Sequence, residues 1–262
     1  MRVMSFNIWS QVERQPPWIA RRELVANLVR WHQPEIIGFQ EATRAMIDDL
    51  ALLLPSGFRW LGVGRDDGKN AGEFNPIFVR EDLFAICEHD TFWLAPRTDA
   101  PARAWGAACR RIVTWARLTE KISGRQFVFF NTHFDHFSRR ARHESARLLR
   151  KKTREISSGD PVIVTGDFNA RENSKTYRIL TEKISSASEN ESPPLRDALR
   201  ESVEPPCGPR KTWRGFLVGA IGSARIDFIF VQNAVRVRRH AVIADSEYAS
   251  DHLPVVADLE ID

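Results

Sequence analysis

Six apolar runs in this chain end on, or enclose, residues that can hold a cation or move a proton. Asn7 closes VMSFNIW and Glu41 closes EIIGFQEA. His133 follows FVFFNT, and Asp167 with Asn169 follows PVIVTG. Asp227 sits inside ARIDFIFV, and Asp251-His252 stands in YASDHLPVV. Short apolar runs of this kind read as buried strands. An acid, amide or imidazole on a buried strand is costly unless it is paired or liganded. Its recurrence along the whole chain suggests strand ends converging on one polar pocket. The donor set is rich in oxygen, with two histidines and no nearby thiol. It suits a hard divalent cation, Mg2+ with Mn2+ as the alternate, and the chemistry of phosphate esters.

The elements that would position these groups alternate early and become strand-rich later. Leu24, Val25, Leu28 and Trp31 fall at helical spacing between Trp18 and Trp31, and Pro34 ends that run. Met46, Ile47, Leu50 and Leu54 predict a helix over 42–54, stopped by Pro55. FRWLGVGR, NPIFVRE, LFAICEHDTFWLA, RIVTWARL and QFVFFNTHFD read as strands. Arg139 to Ile156 reads as a helix, with Ala141, Ser145, Leu148 and Ile156 near one face. Residues 185–211, rich in Ser, Pro and Glu, read as a long surface excursion. ARIDFIFV, VRVRRHAVIA and PVVADLEID close the chain as strands.

The polar positions run from residue 7 to 252 without a linker, so one domain over 1–262 is expected. At 43% hydrophobic the chain can build a sizeable core. The 3 cysteines form no CxxC pair, which signals neither a disulfide framework nor a thiolate zinc site. The first residues enter a strand at once, and no stretch is long and apolar enough to span a membrane. A cytoplasmic location follows as the expectation, with no protein partner indicated. The net charge of +4 mildly favours an anionic partner, nucleic acid included.

FNIW, GFQEA, NTHFDH, GDFNA, RIDFIFV and SDHLPV occur in this order across essentially the whole chain. In this the chain resembles the endonuclease/exonuclease/phosphatase superfamily, the DNase I-like proteins. GVGRDDGKNAGEFNPIFVR, DTFWLAP and RIVTWARL look like one bacterial branch of it. WGAA, Phe228, and Trp213-Arg214 in TWRGF depart from that branch. The resemblance implies an α/β fold: a four-layered α/β sandwich of two packed mixed sheets flanked by helices. It also implies metal-assisted hydrolysis of a phosphate ester.

Site roles follow from the residues and the resemblance together. Glu41 is expected to be the main metal ligand, with Asn7 beside it; the rival reading makes Glu41 a helix cap. Asp167 and Asn169, two apart, would hold the attacking water, with Asp167 taking its proton; a plain Asx-turn is the rival. By resemblance, a carboxylate orients His252, and the adjacent Asp251 is expected within hydrogen-bond distance of it. His133 would act on the leaving side, partnered by resemblance with Glu73. Asp227 is expected to hydrogen-bond a catalytic group; its rival reading is a structural pair with Arg225. Arg111, Asn75 and Arg214 are expected at the substrate. The basic run RRARHESARLLRKKTREI reads as a solvated outer helix, with a nucleic-acid patch as rival.

The function expected is an Mg2+-dependent phosphoesterase, with phosphodiester cleavage and a nuclease favoured on resemblance. The alternative substrate is a small-molecule or lipid-headgroup phosphate. A third reading, an inactive nucleic-acid or partner-binding module, requires a lost metal or proton-transfer residue, and none is lost.

Overall fold

Strict side-chain alternation on the central strands decides how this protein is layered. A computed structural model describes residues 1–10, 16–183, 193–214, 223–244 and 248–262. In chain order the elements are β1 (Arg2–Asn7), α1 (Trp18–His32), β2 (Ile36–Gln40), α2 (Arg44–Leu53), β3 (Phe58–Leu61) and β4 (Ile77–Arg80). Then come β5 (Phe84–Trp93), β6 (Ile112–Glu120), β7 (Gln126–His133), α3 (Arg139–Ser157), β8 (Val162–Asp167) and α4 (Lys175–Thr181). The chain ends with β9 (Arg196–Asp197), α5 (Ala198–Glu201), β10 (Asp227–Gln232), β11 (Val235–Val242) and β12 (Val255–Ile261).

Two six-stranded sheets form, in the orders β11-β12-β1-β2-β4-β3 and β5-β6-β7-β8-β10-β9. Each has one parallel pair at its centre, β1 with β2 and β7 with β8, and antiparallel neighbours outside it. Each parallel pair is joined through a helix, α1 or α3, as parallel strands require. On β1, Met4 and Phe6 face α1 and α2, while Val3 faces the other sheet. On β7, Val128 and Phe130 face α3 and α4, while Phe127 and Phe129 face the first sheet. The result is helix, sheet, sheet, helix: the four-layered α/β sandwich the sequence led us to expect.

The inward-facing set is apolar at one end of the seam and polar at the other. Val3, Ile36, Phe129 and Ile163 give way along their own strands to Ser5, Gln40, Asn131 and Thr165. Asn131 Nδ2 donates to the carbonyls of Phe39 and Pro76, and its Oδ1 accepts from Gln40 Nε2 at 2.7 Å and Thr165 Oγ1 at 3.1 Å. This polar layer, in which both side-chain polar atoms of Asn131 are bonded, locks the sheets in register. It requires Gly38: a Cβ there would overlap Thr165 Oγ1 and lie 2.6 Å from Asn131 Oδ1. One pleat further, the same parity delivers Asn7, His133 and Asp167, the last residues of their strands.

Some expectations are revised. The second helix begins at Arg44, capped by Thr43, because residues 41–43 are spent on turning Glu41. In α3 the expected Ala141 and Ser145 are buried, joined by Ala146, Leu149, Arg150, Thr153 and Ser157, while Leu148 and Ile156 are half-buried beside that stripe. Residues 185–192 of the expected excursion lie outside the described residues; from 193 onward it holds β9 and α5. Among the described residues no helix is long and apolar enough to cross a membrane.

Candidate active site

Glu41 follows β2 in a left-handed conformation, φ 58°. Such a φ costs a non-glycine residue about 1 kcal/mol or more. It swings the carboxylate over the strand ends. There Glu41 Oε1 accepts from Asn7 Nδ2 at 3.0 Å, and Oε2 accepts from the Ser10 backbone N–H at 3.0 Å. Asn7 Nδ2 also donates to Asp167 Oδ2 at 3.0 Å, and its Oδ1 accepts from Trp9 N–H. Asn7 therefore bridges the two carboxylates through its nitrogen. The expectation of an Asn7 oxygen beside the metal is not met in this orientation. Glu41 is also no helix cap, since Thr43 fills that place. Arg21, fully buried in α1, donates to the carbonyls of Ile8, Trp9 and Ala249 and so pins the chain around this corner.

Asp167 ends β8, and its Oδ1 accepts from the Asn169 backbone N–H at 2.9 Å. The Asx-turn is thus real, and it turns Oδ2, which accepts from Asn7 Nδ2, toward the cleft. Asn169 is left-handed, φ 47°, so the two residues converge through a turn and not along an extended strand. Asn169 Nδ2 donates to the Phe134 carbonyl and to His133 Nε2, each at 3.0 Å. An amide NH2 can only donate, so His133 Nε2 accepts and its proton sits on Nδ1. Nδ1 has no hydrogen-bond partner. Burial, then the charge of Arg111, holds His133 well below its ordinary pKa, so the ring is neutral.

Glu73 was the expected partner of His133, and the structure corrects this. Its carboxylate is engaged by Arg65 and by the Ser10 hydroxyl, 2.8 Å from Oε1. That same hydroxyl lies 3.3 Å from Glu41 Oε2, so Glu73 belongs to the Glu41 side of the site. Asp251 as the orienting acid of His252 is corrected too. His252 Nδ1 meets Asp227 Oδ2 at 2.8 Å, while Asp251 Oδ2 accepts from Trp213 Nε1. Neighbours on a tight turn point apart; β10 brings its first residue under the ring. Asp227 is itself held by Thr212 Oγ1, which accepts from its backbone N–H. The rival pairing of Asp227 with Arg225 fails, because Arg225 binds Asp197 and Glu172.

His252 Nε2 lies 3.7 Å from Asp167 Oδ2, completing a chain Asp227–His252–Asp167 in which all three residues are buried. Burial opposes a charge on His252, but the carboxylates of Asp227 and Asp167 outweigh it and hold its pKa well above the ordinary value. Burial, then the charge of Asp227, pushes the Asp167 carboxyl up to about 7.

The donor set fits a divalent cation. Glu41, His133 and Asp167 offer ligand atoms all within 4.8 Å of one another, as do Asp167, Asp227 and His252. Asp167 Oδ2 and the acceptor nitrogen of His133 face each other at 3.4 Å. Acceptors facing acceptors, with three carboxylates close together, is the arrangement a cation relieves. Its oxygen-rich character matches Mg2+-type ions.

Glu41, His133, Asp167, Asn169 and His252 floor a cleft of about 420 Å³ whose wall includes Trp9, Arg65, Glu73, Cys109, Arg111, His136, Arg171, Trp213 and Asp251. Asn75 is not among the residues lining it; its side chain donates to the Ile112 carbonyl and braces β6. Nor does Arg214 line it among the described residues; its backbone N–H bonds the Asp251 carbonyl.

The profile of the Endonuclease/Exonuclease/phosphatase family matches residues 4–252. The chain belongs to that family. Endonuclease/exonuclease/phosphatase proteins act on phosphate esters, and so this member is a phosphoesterase by fold and site. An endonuclease/exonuclease/phosphatase from Bacteroides vulgatus is 36% identical, with TM-score 0.91 over 100% of this chain and 98% of that one. The mannosyl-6-phosphatase of Bacteroides thetaiotaomicron is 33% identical, with TM-score 0.88 over 99% of both chains. The catalytic domain of human nocturnin, at 23% identity and TM-score 0.74 over 100% of this chain and 93% of that one, shares the fold.

Within the family motifs, sequence reasoning missed Ser10, Arg65, Asp135 and His136. The signal for the last two was present in NTHFDH, where only His133 was given a role. Ser10 and Arg65 carry no signal short of the fold, since their partners lie 31 and 8 residues away.

Proposed function

We propose that this protein hydrolyses a phosphomonoester of a small molecule, with a divalent cation held at Glu41. One observation carries the choice of substrate size: the basic helix α3 contributes no residue to the cleft wall among the described residues. Several of its cations are also committed elsewhere. Arg150 is buried and donates to the carbonyls of Ile179 and Glu182, Arg147 pairs with Glu144, and Lys151 and Lys152 pair with Glu155. The feature that favoured a long polyanion in the sequence thus lines none of the cleft among the described residues. The phosphatase activity named for the Bacteroides thetaiotaomicron neighbour supports the same reading.

A cation at this site supplies charge neutralisation at the phosphoryl oxygens. The chain's own groups would do the rest. Asp167 Oδ2, buried and facing the cleft, holds the attacking water and takes its proton. His252, charged and backed by Asp227, presents Nε2–H to a phosphoryl oxygen. Asn169 fixes the ring of His133 instead of orienting water. Arg111 lies beside His133 as the guanidinium for the phosphate.

The test is a panel with Mg2+ or Mn2+: p-nitrophenyl phosphate, hexose 6-phosphates, bis-p-nitrophenyl phosphate, an oligonucleotide and plasmid. Turnover of monoesters well above diesters is expected. Faster cleavage of the diester or of nucleic acid would overturn this reading.

A further inference from the structure

Asp135 and His136, the unused half of NTHFDH, form a built device beside the reactive groups. Asp135 is 1% exposed. Its Oδ1 accepts from the backbone N–H groups of Phe137 and Ser138, at 3.1 and 2.7 Å. Its Oδ2 accepts from Ala108 N–H at 2.8 Å and lies 3.9 Å from Arg111 Nε. One buried carboxylate thus anchors the turn before β6, the start of α3 and the Arg111 guanidinium. Arg111 Nη2 in turn lies 3.0 Å from His136 Nδ1. Guanidinium has no acceptor, so His136 Nδ1 accepts, and in the neutral ring the proton sits on Nε2. His136 is exposed and lines the cleft, whereas His133 and Arg111 are 4% and 5% exposed. Depth therefore separates them: the phosphoryl group belongs with the buried groups, and what passes His136 at the rim is the group being released.

The charges around His136 narrow what that group is. Among the charges of the cleft, Arg111 faces Asp135 and Arg65 faces Glu73. A wall of ion pairs offers donors and acceptors side by side with little net charge. That is poor for a polyanion and suited to hydroxyl groups, which both donate and accept. Trp213, bridged to His252, adds an apolar face in the same cleft.

We infer that His136, fixed by Arg111 and Asp135, is a specificity-determining residue that donates from Nε2 to a hydroxyl of a polyhydroxylated leaving group. This rests on the monoesterase reading above. The test couples a hydroxyl to the residue. Wild type and His136→Phe are compared on a hexose 6-phosphate and on its deoxy analogues, position by position. Losing the recognised hydroxyl should cost wild type up to about tenfold in kcat/KM, the upper range for one hydrogen bond. In His136→Phe the same loss should be close to nil, and His136→Gln, which keeps a donor at similar reach, should restore most of the difference. Asp135→Asn should raise KM more than it lowers kcat. Equal deoxy penalties in wild type and His136→Phe at every position would overturn the inference while leaving the monoesterase reading intact. Wild type that turns over neither the hexose phosphate nor p-nitrophenyl phosphate would overturn both.

Discussion

Asp227 reaches His252 Nδ1 from 25 residues away in sequence, while Asp251, its chain neighbour, bonds Trp213. Asp227→Asn keeps the shape but removes the charge that makes His252 a cation. We predict a loss in kcat of about 100- to 1,000-fold, the range of one lost charge-stabilising donor, with fold and metal affinity retained. Asp251→Asn should stay far closer to wild type. Steady-state kinetics of the two variants decides between the partners. The clustered carboxylates make a second prediction. Without metal, Glu41→Gln should be at least as stable as wild type, since it removes one of several like charges. It should also lose the rise in Tm that Mg2+ gives wild type, because an ion binding the native state stabilises by mass action. A Tm rise equal to that of wild type would refute Glu41 as a ligand. At this scale the sequence revealed residue types and little about pairings. Every strand-end acid and imidazole in the cleft floor was visible, yet both dyads drawn from nearness or resemblance were wrong, since pairing depends on register and turn direction.

Strand ends carry the reactive groups, and the strands were legible because their apolar runs are unusually complete, from EIIGF to PVIVTG. Parity along β1, β2, β7 and β8 then dictates which polar residues meet. Helix faces were less legible: Arg150 counted as a surface cation but sits in the buried stripe of α3, capping carbonyls at the end of α4. Two predictions belong here. Gly38→Ala should destabilise by about 1–3 kcal/mol, the usual cost of overpacking, and should lower activity by prising apart the strands that hold Glu41 and Asp167. Adding Thr165→Ala should recover part of that stability; chemical denaturation of the single and double variants measures it. Replacing Lys151, Lys152 and Arg154 by Gln should leave kcat/KM and its salt dependence unchanged, whereas a nuclease using α3 would lose affinity and salt slope together.

Across the whole molecule, the two sheets meet over a seam that buries few titratable groups without partners. His240 on β11 is one: it is 2% exposed, and neither ring nitrogen has a hydrogen-bond partner. Burial, then the charge of Arg225, lowers its pKa from the ordinary 6.5 to about 4. The unfolded chain therefore binds the proton first. The stability His240 allows is complete above about pH 6.5 and drains away as pH falls toward about 4. His240→Phe should move the acid-unfolding midpoint to lower pH, as circular dichroism would record; an unchanged midpoint would contradict it. The seam also divides labour. Asn7, His133 and Asp167 stand on strands that the polar layer locks, with Asp227 on the neighbouring β10, whereas Arg65 and His136 stand on connecting segments outside the strands and Trp213 on one held by single bridges to Ala224 and His252. Segments of the second kind can be exchanged without disturbing the first. A lineage built on this plan can change its diet while keeping its chemistry, so grafting residues 64–73 and 134–138 from a relative should transfer substrate preference and leave the reaction as it was.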